Sequence, residues 1–260
     1  MTDYPQLATG ALTQFPAVKK RRARTVVNQA ADGSSVKYAD PAGETVEWHL
    51  RYAGISDDEL AAIEQFFASM EGSLNTFTFL DPSGNLLAWS EDLTNTAWSA
   101  APYLSLAGAV TDPLDGASGW HIDNSGAGAQ ALTQTLNVPL PYTYCFSVYA
   151  RSTQAMTIAL LLGSHRVERV LDTNWRRIWV VGSGDPAMSV IVFGIELPAG
   201  SAIDLFGPQV EPQRAPSAYK TATTGGVYQG ARFRDDELDF TTTDVNQHTV
   251  TINIFYAKHL

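Results

Sequence analysis

Residues able to carry chemistry are few in this sequence, and their spacing is poor for it. Glu91 and Asp92 are adjacent carboxylates, and a carboxylate pair can cleave a glycosidic bond. Neighbours in a strand point to opposite faces, however, so these two would not flank one bond. Asp57, Asp58 and Glu59 open a helical pattern, where acids serve the positive end of the helix dipole. Asp235-Asp-Glu-Leu-Asp239 is denser in charge and reads as a solvated turn ahead of a calcium loop. The histidines His49, His121, His165, His248 and His259 form no H-E-x-x-H or comparable pairing. Cys145 is the only cysteine and sits in the apolar run Tyr144–Val148. It cannot form an internal disulfide and reads as a small buried hydrophobe. No G-x-S-x-G, Walker loop or dinucleotide fingerprint occurs. The expectation is a protein without catalytic residues, metal or cofactor.

Sugar binding asks for less. Exposed rings stack on pyranose C–H groups, and nearby polar groups take the hydroxyls. Tyr103, Tyr142, His165 and Arg166 fall at expected strand ends or loops and are the candidates, with packing the competing role for the two tyrosines. Trp120, Trp175 and Trp179 are expected in the core.

The element that organises the surroundings is Ser56–Asn85. Ser56 and Glu59 form a capping box. Leu60, Ile63, Phe66, Phe67 and Met70 fall on one helical face, and Gly72 supplies a stop. The strand Asn75–Leu80 and the turn Asp81–Asn85 follow. Upstream, residues 1–18 carry Pro5 and Pro16 and read as an arm or edge segment. The basic run Lys19–Arg24 leads into strand Thr25–Asn28, with Asp32-Gly33 as a hairpin signal and Asp40–Gly43 as a second turn. Thr45–Tyr52 alternates, placing Val46, Trp48, Leu50 and Tyr52 on one face. Beyond Asn85, strands are expected at 119–123, 129–138, 142–150, 156–162, 166–171, 177–182, 189–196 and 202–210, separated by turn residues. Tyr228–Arg234 and Val250–Tyr256 alternate again. The fold class is therefore mainly β: a discontinuous β-sandwich or barrel domain with one short α-helix, and an inserted jelly-roll β-sandwich.

The 260 residues carry a net charge of −10. It is spread as −4 over residues 1–87, −4 over 88–220 and −2 over 221–260. An evenly acidic chain argues against nucleic acid or an anionic membrane as the main partner. No apolar run has the length of a bilayer span. The first residues do not read as a signal peptide.

Two resemblances follow from the motifs. Tyr4-Pro5, Asp32-Gly33, Trp48, Leu50, Tyr52, Glu59, Phe66-Phe67, Gly72 and Phe77–Pro82, in that order, resemble the N-terminal domain of distal tail proteins. These form the ring at the tip of long-tailed phages and gene transfer agents. The ending Val250–Tyr256 resembles the closing strands of the same domain. Trp89–Trp98, Tyr142–Ser152, Thr173–Arg177 and Ile203–Glu211 followed by Ser217–Thr221 are similar to the lectin-like jelly rolls of phage structural proteins, themselves similar to carbohydrate-binding modules. The resemblances imply a tail-ring domain at 1–87 and 222–260 and a jelly roll at 88–221. They imply a virion tail-tip protein that associates with itself, as a hexamer in the resembled family, and with tail-tube and hub or fibre proteins. Host-surface glycan is a candidate ligand of the jelly roll. The rival readings are a stand-alone carbohydrate-binding protein and a tail-associated glycan-degrading enzyme.

Overall fold

A computed structural model describes residues 3–258. It is mainly β, with one helix, and divides into two compact units: residues 3–8, 12–79 and 228–258, and residues 9–11 and 80–227.

The first unit begins with β1 (Val18–Gln29) and β2 (Ser35–Ile55), an antiparallel hairpin turning at Gly33, whose φ is +85°. Asp40–Gly43 is not the expected turn. It is an irregularity inside β2, where the register jumps from Arg24 opposite Asp40 to Arg22 opposite Thr45. Gly43 fits because a Cβ there would meet the Arg24 side chain at 2.5 Å. Helix α1 (Asp57–Ser69) follows with its capping box formed: Ser56 Oγ accepts from Glu59 N at 3.3 Å and Glu59 Oε2 accepts from Ser56 N at 3.0 Å. It buries Leu60, Ile63 and Phe66. Burial pushes the Glu59 carboxyl up, but the donors on Ser56 and Ala8 outweigh it and hold the group below its ordinary value. Strand β3 is Phe77–Leu80.

The opening segment is partly core instead of arm. Tyr4, Leu7 and Leu12 are buried. The Tyr4 ring meets Phe66 and Phe79 edge-on at 5.5 and 5.6 Å, and its hydroxyl lies 2.7 Å from that of Tyr52. Pro5 marks a chain that must run without regular backbone pairing, and the rings beside it carry the burial.

The second unit contributes β4 (Ser99–Ala100), β5 (Leu104–Val110), β6 (Gly119–Asn124), β7 (Gln130–Leu136), β8 (Tyr144–Arg151), β9 (Met156–Leu162), β10 (His165–Leu171), β11 (Arg176–Gly182), β12 (Ile191–Leu197) and β13 (Ser201–Glu211). They form two five-stranded sheets, ordered β10-β9-β12-β7-β4 and β11-β8-β13-β6-β5. This is a jelly-roll sandwich. Its interior holds Phe146, Val148, Leu160, Phe193 and Ile195, all buried.

The chain then returns to the first unit with β14 (Val227–Phe233), β15 (Phe240–Asp244) and β16 (Gln247–Ala257). The sheet order is β1-β2-β16-β14-β3, with β15 also on β16. No sheet among the described residues closes on itself, so the barrel alternative is not adopted. β16 pairs with β2 from Thr45 to Ile55.

Candidate functional site

Side-chain alternation on β8 sets up the outward face of the sheet β11-β8-β13-β6-β5. Tyr144, Phe146, Val148 and Ala150 point inward and are buried, so Cys145, Ser147, Tyr149 and Arg151 point outward. β11 is in register with Arg177 opposite Tyr149 and Trp179 opposite Ser147. Trp175, just before β11, continues this row: the Arg151 guanidinium lies 4.8 Å over its ring. The Arg177 guanidinium stacks 5.3 Å over Tyr149.

At one end of this face Asp204 on β13 gathers two partners. Arg151 Nε donates to Oδ2 at 2.9 Å, and His121 Nδ1 donates to Oδ1 at 2.8 Å. Beside them is a cleft of about 310 Å³ lined by His121, Arg151, Ser152, Thr153, Thr173 and Asp204. It offers guanidinium and hydroxyl donors and carboxylate acceptors together. The fixed charges Arg151 and Asp204 neutralise each other, which suits uncharged hydroxyl-bearing ligands over ionic ones. Farther along, Trp179 faces out and is 45% exposed. It lies four residues from Trp175, about 13 Å along an extended strand.

The rest of the face is covered by the segment after β13. Tyr219 packs on Phe206 at 4.9 Å. Buried Glu211 accepts from Ser217 N at 2.9 Å and from Lys220 Nζ at 3.2 Å. Arg177 donates to Ser217 O and, at 3.0 Å, to Ser147 Oγ. Cys145 beneath is fully buried, and burial, reinforced by the Glu211 charge, pushes its thiol up to about 12. It is not a nucleophile at neutral pH.

The four residues expected to bind sugar do not make one site. Tyr103 is 58% exposed beside β5. His165 is exposed at the start of β10, against Gly182 of β11, at the other edge of that five-stranded sheet. Arg166 is exposed but tied by Glu196 and Glu168, each at 2.9 Å. Tyr142 is only 5% exposed, its ring 6.2 Å from that of Tyr144. A ring so enclosed has no face to offer a pyranose.

The acidic candidates are used structurally. Asp92 Oδ1 accepts from Thr94 N and Oγ1 in a turn, so Glu91 and Asp92 are not strand neighbours after all. Asp57 Oδ1 is 2.6 Å from His248 Nε2. Asp235 accepts from Asn253, whose Oδ1 is 2.6 Å from His49 Nδ1. That leaves His49 half-buried instead of on an open surface. His259 lies outside the described residues. Among the described residues no group of three or more His, Cys, Asp or Glu could hold a metal ion, and no helix is long and apolar enough to cross a membrane.

No protein-family model matches the chain, and no curated protein matches it. Solved structures are similar to about half of it. The enzymatically active domain of bacteriophage CBA120 tailspike protein 4 has 11% identity and a TM-score of 0.37, covering 50% of this chain and 22% of that one. The chain thus spans about a fifth of the tailspike domain. The CBM22-1 xylan-binding domain of Paenibacillus barcinonensis Xyn10C has 10% identity and a TM-score of 0.38, covering 54% and 95%. The C-terminal family 22 carbohydrate-binding module of Clostridium thermocellum Xyn10B has 16% identity and a TM-score of 0.40, covering 51% and 96%. None of these likenesses transfers a residue role to this chain.

Four of the site residues escaped the sequence reading. Trp175 and Trp179, expected in the core, both project from the outward face. Alternation could have shown it, since Ile178 and Val180 take the inward positions of β11. His121 and Asp204 carried no signal, because 83 residues separate them and only the β6–β13 register brings them opposite one another.

Proposed function

We propose that this chain is a non-catalytic virion protein, a distal-tail or tail-tip ring subunit, whose sandwich unit binds host-surface glycan. The glycan half is carried by the cleft of Arg151, Asp204 and His121, with Trp175 and Trp179 along the same strand. A neutral oligosaccharide lying along β11 would exchange hydroxyl hydrogen bonds with the charge pair and stack on the exposed indole. The similar modules named for xylan and other carbohydrates fit this reading. Titrating the protein with neutral oligosaccharides by calorimetry tests it. Binding that Asp204→Ala and Trp179→Ala both weaken supports it, and a flat titration across a broad glycan panel sinks it.

The assembly half rests on the order of motifs in residues 1–87 and 222–260 and on the free edge of β1, exposed along most of its length. Unpaired strand edges invite pairing. In this role the discontinuous unit closes into a ring, a hexamer by resemblance, between tail tube and hub or fibre proteins at the virion tail tip. A ring multiplies weak single-site contacts with a cell surface. The cleft is complete within one sandwich, and that favours a second reading, a stand-alone glycan binder. A strict monomer at high concentration in sedimentation supports the second reading over the first. New reducing ends from host polysaccharide would overturn the non-catalytic assignment.

A further inference from the structure

Side-chain alternation gives the first sheet two different faces. Phe233 on β14 and Ile254 on β16 are buried on the side that α1 covers, where the Phe233 ring lies 5.7 Å from that of Phe66. Arg232, Arg234 and Phe255 therefore point to the opposite side. Register carries a row across four strands there: Lys20 opposes Glu47, Glu47 opposes Phe255, and Phe255 opposes Arg232. The row is about 14 Å wide at ordinary strand spacing. Glu47 is 7% exposed and lies 3.6 Å from Arg22 and 3.7 Å from Arg234. One carboxylate thus sits among four cations, Lys20, Arg22, Arg232 and Arg234. Asp235 turns to Asn253, and counting it still leaves the cations two ahead. Lys20 has no carboxylate partner among the described residues. The Arg234 guanidinium stacks 5.1 Å over Phe255. Lys19 and Arg21, alternating with Lys20 and Arg22, face the other way against Trp48 and Tyr228.

The helix on the other side carries the opposite sign. α1 lies in the run Tyr52–Ala150, which contains no Lys or Arg. Asp57, Asp58 and Glu64 are exposed on it, and Glu71 is exposed just past its C-cap. Asp57 is taken by His248, at 2.6 Å. Asp58, Glu64 and Glu71 have no cationic partner among the described residues. Glu64 and Glu71 are two turns apart, so they share one stripe about 10 Å long. Leu74 beyond them is 66% exposed. Because α1 and the cationic row lie on opposite sides of one sheet, the helix of the same chain cannot reach the row.

We infer that the acidic α1 surface of one copy docks on the cationic sheet face of a second copy, with Glu64 and Glu71 against Lys20, Arg22 and Arg232. This rests on the reading of the first unit as self-associating and names the two surfaces that meet. Three carboxylates without cations match a local excess of two to three cations without carboxylates, and guanidinium groups pair with carboxylates in two-pronged fashion. Chains of net charge −10 repel one another unless patches of opposite sign meet, so the charges also fix the orientation of the contact. Because the two surfaces differ, the contact is head-to-tail. Such contacts build a closed ring or an open filament, not a twofold dimer.

The test uses the full chain in sedimentation velocity at about 50 and 500 mM salt. The unmodified protein should assemble, and more strongly at low salt. Lys20→Glu with Arg22→Glu, and separately Glu64→Lys with Glu71→Lys, should each weaken assembly tenfold or more. Combining all four substitutions should restore it. A cysteine pair gives a second readout that tolerates weak assembly and does not depend on the reversed charges: Lys20→Cys and Glu64→Cys chains should be joined by a short bis-maleimide when mixed, and neither variant alone. Assembly that responds to the sheet reversal but not to the helix reversal gives the cationic row to some other acidic surface and overturns the pairing with α1. Assembly indifferent to both reversals, or cross-linking within one variant alone, overturns the head-to-tail assignment while self-association stands. A monomer under every condition, with no cross-linking, overturns both.

Discussion

Asp204 has little freedom: each carboxylate oxygen is already engaged, one by Arg151 and one by His121. Under the proposed function, a sugar hydroxyl arriving there would join a formed network instead of organising a loose one. Replacing Asp204 by Asn should release the guanidinium and shift preference toward acidic saccharides, read as a change in rank order on a glycan panel. Trp179→Ala should lower affinity for a neutral oligosaccharide about tenfold, on the order of 1.4 kcal/mol, and leave thermal stability nearly unchanged because the ring is exposed. Lys220 behaves differently. Its ammonium faces a carboxylate that is almost wholly buried, and removing one partner strands the other. Lys220 is itself one-third exposed and Ser217 still donates to Glu211, so Lys220→Ala should cost about 2 kcal/mol in denaturant unfolding.

Helix α1 shows what a single element contributes and how legible it was. Its box of Ser56 and Glu59 was readable because capping is local, complete within four residues. Ser56→Ala should cost about 1 kcal/mol of stability, measured by urea unfolding. Glu59 titrates below its ordinary value in the folded chain. Its contribution is therefore present above the unfolded value near 4.5 and fades as pH falls through the lower folded one. Glu59→Gln should flatten the loss of stability below about pH 4.5. The jelly-roll strands from β6 to β13 were legible for the same local reasons, alternation and turn residues. β4, two residues long, and β5, with the sequence Leu-Ser-Leu-Ala-Gly-Ala-Val, have no such pattern. The buried opening segment was missed because Pro5 and Pro16 speak of backbone and say nothing of the Tyr4 ring packed against Phe66 and Phe79. The site was less legible than the fold because its polar members meet only through register across a sheet.

At the scale of the molecule, the cleft and the free edge of β1 lie in different compact units. Residues 80–227 expressed alone should fold and bind a single oligosaccharide as the full chain does. They should lose the added strength the full chain shows on a surface coated densely with the same glycan, checked by comparing solution calorimetry with surface binding. Equal surface binding by both proteins would show that assembly adds nothing to recognition.

β2 and β16 lie side by side in the first sheet, yet about two hundred residues of chain come between them. During synthesis the intervening sandwich has all its strands before β16 exists. A ribosome that stalls in that interval releases a finished sandwich attached to a sheet lacking an inner strand. If the proposed function holds, such a fragment would keep the glycan cleft but lack the completed sheet that assembly needs, so the order of the strands would tie assembly to complete translation.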